Sequence, residues 1–306
     1  MNLTKYPVRN PYTDHGFREA IEFFKMPGLV ARRLAEVLPE SAFLSHYLLS
    51  DRQAMPGGAL IIEPVSALDQ SEGGEQVAPG AEYPPMELSA EDSFSVESGK
   101  FGGRRKITTE ALSRVSNAGM FIDRQNTQIV NQINWAFERP TLAAVHSAIG
   151  GSYASKAWDS KAAIIHAVES VKAQMEGLLK NFNAHTLVMT SAQWANAAVV
   201  LADMLPDGSM TLVDGNWPNL LGLTVVTNPF LPAGWQPTLI DLDNFGGIGH
   251  EQLSGDGYVG AAAGTNIEVK VYTEDASDSF VYQWRKTDVP FITNKDAAVK
   301  ITGTGL

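Results

Sequence analysis

A chain of 306 residues with 44% hydrophobic content carries enough apolar side chain for one large core or two ordinary ones. Its formal charge of -11 argues against general nucleic-acid binding, which rests on clustered Lys and Arg. The absence of cysteine excludes disulfides, thiolate metal sites and cysteine nucleophiles, and the lack of any long apolar run argues against secretion and membrane spanning.

Residues 13 to 38 show two short helical patterns. Phe17, Ile21 and Phe24 share a face, Pro27 and Gly28 interrupt, and Leu29, Leu34, Val37 and Leu38 continue up to Pro39. Such pieces cannot bury their apolar stripes alone, so they must lie against the rest of the chain or against another subunit.

Ala59 to Ile62 reads as a strand, followed by a Gly-, Pro- and Ser-rich excursion from Gln70 to Pro85. Between Ala59 and Gly99 acidic residues such as Glu72, Glu75 and Glu82 are met by no Lys or Arg. Immediately afterwards come Lys100, Arg104, Arg105 and Lys106. Two readings fit: a solvated acidic loop, or an extended hairpin whose acidic tip meets a basic patch on a neighbour.

Thr108 caps a long helix with Ile122, Ile129, Ile133 and Phe137 on one stripe. Pro140 should kink or restart it before Leu142, Val145 and Ile149. A second helix is expected from about Ser160 to Phe182. A strand follows over 186 to 189, and Thr190 and Gln193 stand at capping-box spacing before a helix from Trp194 to Met204. Strands are expected at 211–213, 223–226 and 238–242, then a Gly-rich loop over 246–264. Ile267, Val269 and Val271, and then Phe280, Tyr282 and Trp284, alternate with polar residues as an antiparallel pair with one buried face.

The chemistry implied is sparse. The six histidines are dispersed, without a His-Glu-x-x-His pair. Gly246 to Gly249 lacks the third glycine of a dinucleotide fingerprint and reads as a flexible loop, and Asp241 to Gly246 fails as a calcium loop because Gln252 stands where a bidentate Glu is needed. No nucleophile elbow or phosphate loop occurs, so no cofactor or metal is implied. Asp241 and Asp243 could serve a carbohydrate-active hydrolase, although alternating carboxylates on a strand share a face and usually meet water.

The order of arm, hairpin, long helix, strand-helix unit and closing strands resembles the α+β Hong Kong 97-type fold of tailed-bacteriophage major capsid proteins. Phe101 to Leu112 resembles the passage from hairpin into spine helix. Met189 to Trp194 and Leu221 to Gly234 resemble stretches of the family's axial domain, and Tyr282 to Pro290 with Ala297 to Gly303 its closing strands. The resemblance covers about residues 50 to 306 and implies an N-terminal arm (1–58), an extended loop (59–106), a peripheral domain with spine helix (107–158 and 265–306) and an axial domain (159–264).

The resemblance also implies a non-enzymatic subunit that builds hexamers and pentamers of a virion shell, made in the host bacterial cytoplasm. Its partners would be copies of itself, a portal protein and a decoration protein, around DNA held without sequence-specific binding. Only about 58 residues precede the hairpin, so a scaffolding protein, if used, is expected to be separate. Contacts between subunits are expected at Phe17, Phe24, Glu72, Glu75, Glu82, Arg104 and Arg105. An encapsulin-like nanocompartment shell, which has the same fold, is the nearer alternative, and the hydrolase the more distant one.

Overall fold

The computed structural model describes residues 21–37, 43–63, 93–113, 118–202, 219–220, 222–253, 255, 257–260 and 266–306. The sequence expectations for Phe17, for Glu72, Glu75 and Glu82, and for a strand at 211–213 fall outside these residues.

The described residues begin with a helical turn over 21–24 and then α1 (Pro27–Val37), which starts on proline, where a missing N–H costs nothing. A short α2 (Leu44–Leu48) leads into β1 (Asp51–Ala54). Strands β2 (Ala59–Ile62) and β3 (Phe94–Glu97) pair antiparallel as the base of the hairpin, and β4 (Phe101–Thr108) descends from it. Of the expected long helix the described residues form α3 (Thr109–Ser113), α4 (Ala118–Ile133), a π-helical turn (Asn134–Glu138) and α5 (Arg139–Ala148), the π turn interrupting the α-helix after Ile133. The interruption falls one turn ahead of Pro140, whose ring and missing N–H disturb the bond to the carbonyl four residues back.

After β5 (Gly151–Ala154), α6 (Lys161–Glu176) begins where the Ser160 side chain accepts from the Ala163 N–H. It ends at Gly177, short of Phe182. Leu179 and Asn181 turn into positive φ, and Phe182 is buried from the loop. Then come β6 (Thr186–Met189), α7 (Ser191–Ala202), β7 (Asn219–Leu220), β8 (Leu223–Thr227), β9 (Thr238–Ile240) and the single turn α8 (Leu242–Phe245). The capping box is reciprocal: Gln193 Oε1 accepts from the Thr190 N–H at 2.9 Å, and Thr190 Oγ1 from the Gln193 N–H at 3.2 Å.

The stretch expected to be a Gly-rich loop instead begins with a buried central strand, β10 (Gly246–His250). Its glycines are there for closeness, not flexibility. A Cβ on Gly247 would lie 2.5 Å from the Phe291 ring and 2.6 Å from the Asp51 carbonyl oxygen, and one on Gly246 would fall on the Phe291 carbonyl. The chain closes with β11 (Val259–Gly260), β12 (Ile267–Glu274), β13 (Ser279–Lys286), β14 (Asp288–Ile292) and β15 (Ala298–Thr302).

Two cores result. In the first, β11-β12-β13-β4 form a sheet whose inner face packs Ile267, Val269, Phe280, Tyr282 and Trp284 on α1 and on Ile129, Ile133 and Phe137. In the second, a six-stranded sheet in the order β5-β15-β9-β6-β8-β7 packs on α6 and α7 through residues such as Val168, Val171, Leu187 and Val225. The three-stranded sheet β1-β10-β14 lies beside them. Strand pairing runs across the boundaries drawn from sequence. Strand β4 leaves the loop to join β13, while β5 and β15, assigned to the peripheral part, complete the sheet of the axial part.

Candidate assembly surfaces and the buried junction

The base of the hairpin presents apolar side chains that the described residues leave open: Ile61 is 70% exposed and Phe94 38%. Beneath β3 lies a groove of about 650 Å³, lined by Phe94, Val96, Val145, Pro290 and Phe291. Lys100 is exposed at the foot of the hairpin.

The candidate contact residues separate. Phe24, expected among the contacts between subunits, is 3% exposed and stacks on Phe280 with ring centroids 6.1 Å apart, so it takes the other course open to the arm and packs on its own chain. Phe23 beside it is equally buried and was missed, because a stripe drawn through Phe17, Ile21 and Phe24 passes it by. Arg104 and Arg105 do not form one patch. Arg105 stands opposite Tyr282 on the face that carries Ile107 and Phe280, and is half-buried. Arg104 stands opposite Gln283 on the outer face and is exposed. On that face Lys106 pairs with Glu274 at 2.5 Å, and Arg285 pairs with Glu268.

At the seam between the two cores lies a charged knot that the sequence reading did not anticipate. Lys286 Nζ sits 2.5 Å from Asp288 Oδ2, 3.1 Å from His46 Nε2, and above the rings of Phe137 and Phe43 at 4.6 and 5.2 Å. Asp288 Oδ1 also meets His250 Nδ1 at 2.8 Å and accepts from Asn266 at 3.1 Å. Nearby, buried Glu138 in the π turn accepts from the Ser45 N–H at 2.9 Å and from its hydroxyl at 2.5 Å. Arm, spine helix and closing strands thus meet in one cluster.

Burial dominates the electrostatics here. It lowers the proton affinity of Lys286 despite Asp288, lowers that of His46, and raises the Glu138 carboxyl. For Asp288 burial alone would act upward, but hydrogen bonds from His250, His46 and Lys286 with the lysine charge outweigh it and hold the carboxyl well below the usual range.

The carboxylates of the hydrolase reading do not stand side by side facing water. Asp241 is fully buried as the cap of α8: its oxygens accept from the N–H groups of Asn183 at 2.8 Å and Asp243 at 3.1 Å, and from Asn244 at 2.8 Å. His185, Asp241 and Asp243 bring possible ligand atoms within 4.8 Å of one another, yet both Asp241 oxygens are already engaged in holding the turn. No helix among the described residues is long and apolar enough to cross a membrane.

The family described as "Phage capsid protein" matches residues 91–301 by its sequence profile. No curated protein sequence matches the chain. Among solved structures, the fold is similar to the capsid of the cyanophage P-SCSP1u, at 12% identity over 85% of this chain and 88% of that one, with a TM-score of 0.58. A phage-related protein from Bordetella bronchiseptica shares 12% identity over 92% and 98% of the two chains, with a TM-score of 0.57. The holo-SrpI encapsulin complex of Synechococcus elongatus gives 10%, 88% of each chain and 0.53. At such identities the structural likeness establishes the fold, and the profile match over more than half the sequence establishes the family: the chain belongs to the phage capsid proteins and is built on the Hong Kong 97-type α+β fold.

Proposed function

We propose that this chain is the major subunit of a tailed-phage head, assembling as hexamers and pentamers into a closed shell around double-stranded DNA. The observation that carries the reading is the hairpin: its base exposes Ile61 and Phe94, side chains that gain by burial against another copy. Many modest contacts of this kind, repeated by symmetry, add up to a stable container. The arm (1–58), extended loop (59–106), peripheral part and axial part are the working units of that subunit. The acidic residues of the loop, Glu72, Glu75 and Glu82, would meet the outer face of a neighbour near Arg104. A portal protein at one vertex, and a separate scaffolding or decoration protein, complete the set of partners in this reading.

No lysine lies between Ala59 and Gly99, so the loop lacks the amine that could form an isopeptide bond to a neighbour's asparagine, and in this reading the shell is held by non-covalent contacts. Particles purified from a phage lysate test both statements. Their most abundant protein should be this chain, running near 33.0 kDa after boiling in detergent with reductant, and their content should be DNA. A ladder of covalent multimers that disappears when Lys100 is replaced by arginine would refute the non-covalent shell. Particles filled with a cargo protein in place of DNA would favour the encapsulin-like alternative.

A further inference from the structure

The exposed face of the spine helix differs in character from the rest of this acidic chain. Arg124, Gln128, Asn131, Gln132, Trp135 and Arg139 recur at helical spacing along α4, the π turn and the start of α5, and each is exposed. None is acidic, in a chain of net charge -11. Trp135 is 58% exposed, and the Arg139 guanidinium lies 4.6 Å from the centre of its ring. At about 1.5 Å per residue the two arginines stand about 22 Å apart along the helix.

Resting on the shell reading above, we infer that this face touches the phosphodiester backbone of the packaged DNA. The chemistry fits a nucleic acid better than a protein. Guanidinium, amide and indole N–H groups are the donors that contact phosphate oxygens without reading bases. A protein partner would have to strip water from five polar groups for the sake of one exposed indole, a poor exchange for a dehydrated interface. Two arginines per subunit neutralise few phosphates, so each contact is weak and salt-sensitive. Repetition over the shell makes it collectively useful while the net negative wall still releases DNA.

Hydroxyl-radical footprinting of DNA-filled and empty particles, read at Trp135 by mass spectrometry, tests the inference. Oxidation of Trp135 should be several-fold slower in filled particles than in empty ones, and the double variant Arg124→Gln/Arg139→Gln should lose most of that difference. Oxidation slower than in the unassembled subunit to the same degree in both particles would mean that a protein covers the face. Oxidation as fast as in the unassembled subunit in both would mean that nothing covers it, and undiminished protection in the variant would mean general shielding by the contents. Each of these three results overturns the inference. Ultraviolet irradiation of filled wild-type particles gives a second readout that needs no variant: nucleotide adducts are expected on the peptide carrying Trp135 and Arg139, and adducts confined to other peptides would contradict it. A phage lysate that yields no DNA-filled particles built from this chain would refute the shell reading instead.

Discussion

Lys286 Nζ lies 2.5 Å from Asp288 Oδ2, and neither side chain reaches solvent. Removing two charges from water costs several kcal/mol each, and their attraction repays this only when both are present and the remaining hydrogen bonds are made. The pair is therefore a device for holding the arm, the spine helix and the closing strands in one arrangement more than a source of net stability.

Lys286→Met should destabilise the subunit by about 3–5 kcal/mol, because Asp288 is left charged and buried without its cation. Adding Asp288→Asn should recover part of the loss. Thermal unfolding midpoints of the two variants check this, and a double variant less stable than the single one would contradict it.

Acid should weaken the same junction through His46. Its folded-state proton affinity lies below the ordinary value of 6.5, chiefly through burial, so below about that pH the unfolded chain takes up a proton that the fold resists. Stability from this group is present above 6.5 and is lost as pH falls. Glu138 acts in the opposite sense, since its raised affinity favours the fold as pH falls toward its ordinary value of 4.5, while Asp288 costs stability only once pH enters the carboxylate range. Between about pH 7 and pH 5 the unfolding midpoint of His46→Gln should thus fall less steeply than that of the wild type. Parallel slopes would exclude His46 as the source.

Gly247→Ala should cost about 1–3 kcal/mol or more by overpacking, since the new methyl meets the Phe291 ring and the Asp51 backbone. Gly260→Ala, where nothing lies within 4 Å, serves as the neutral control. Denaturant midpoints of the two variants separate the strand reading of β10 from the loop reading, which predicts that they behave alike.

The two arginines of β4 should part company. Arg104→Glu, on the exposed face, is expected to leave the unfolding midpoint within about 0.5 kcal/mol of wild type while reducing the yield of shells. Arg105→Glu places a carboxylate on the apolar side opposite Tyr282 and should lower stability itself. Sedimentation of assembly reactions beside thermal scans distinguishes these effects.

Period and turn chemistry carried most of the fold. The stripes of the helices, the Thr190–Gln193 box and the alternation of β12 and β13 follow from local sequence, and local sequence dictates them. What local reading misses is set by contact between distant segments. Gly246 to Gly249 looks like a loop in isolation and is a strand because β1 and β14 close on it from either side. Arg104 and Arg105 look like one patch until strand parity sends them to opposite faces. The buried knot did leave a signal: Phe280, Tyr282, Trp284 and Lys286 share one parity, so the lysine continues an apolar face and must find a buried partner there. The identity of that partner, and the convergence of His46 and Glu138 on it, come from folding of residues far apart in the chain.

The central claim, that this chain builds a shell, is tested most directly by electron microscopy of the purified full-length protein. Closed shells are predicted, or hexameric and pentameric capsomers that close when a scaffolding protein or crowding agent is added. A protein that stays a 33.0 kDa monomer under every condition would contradict it.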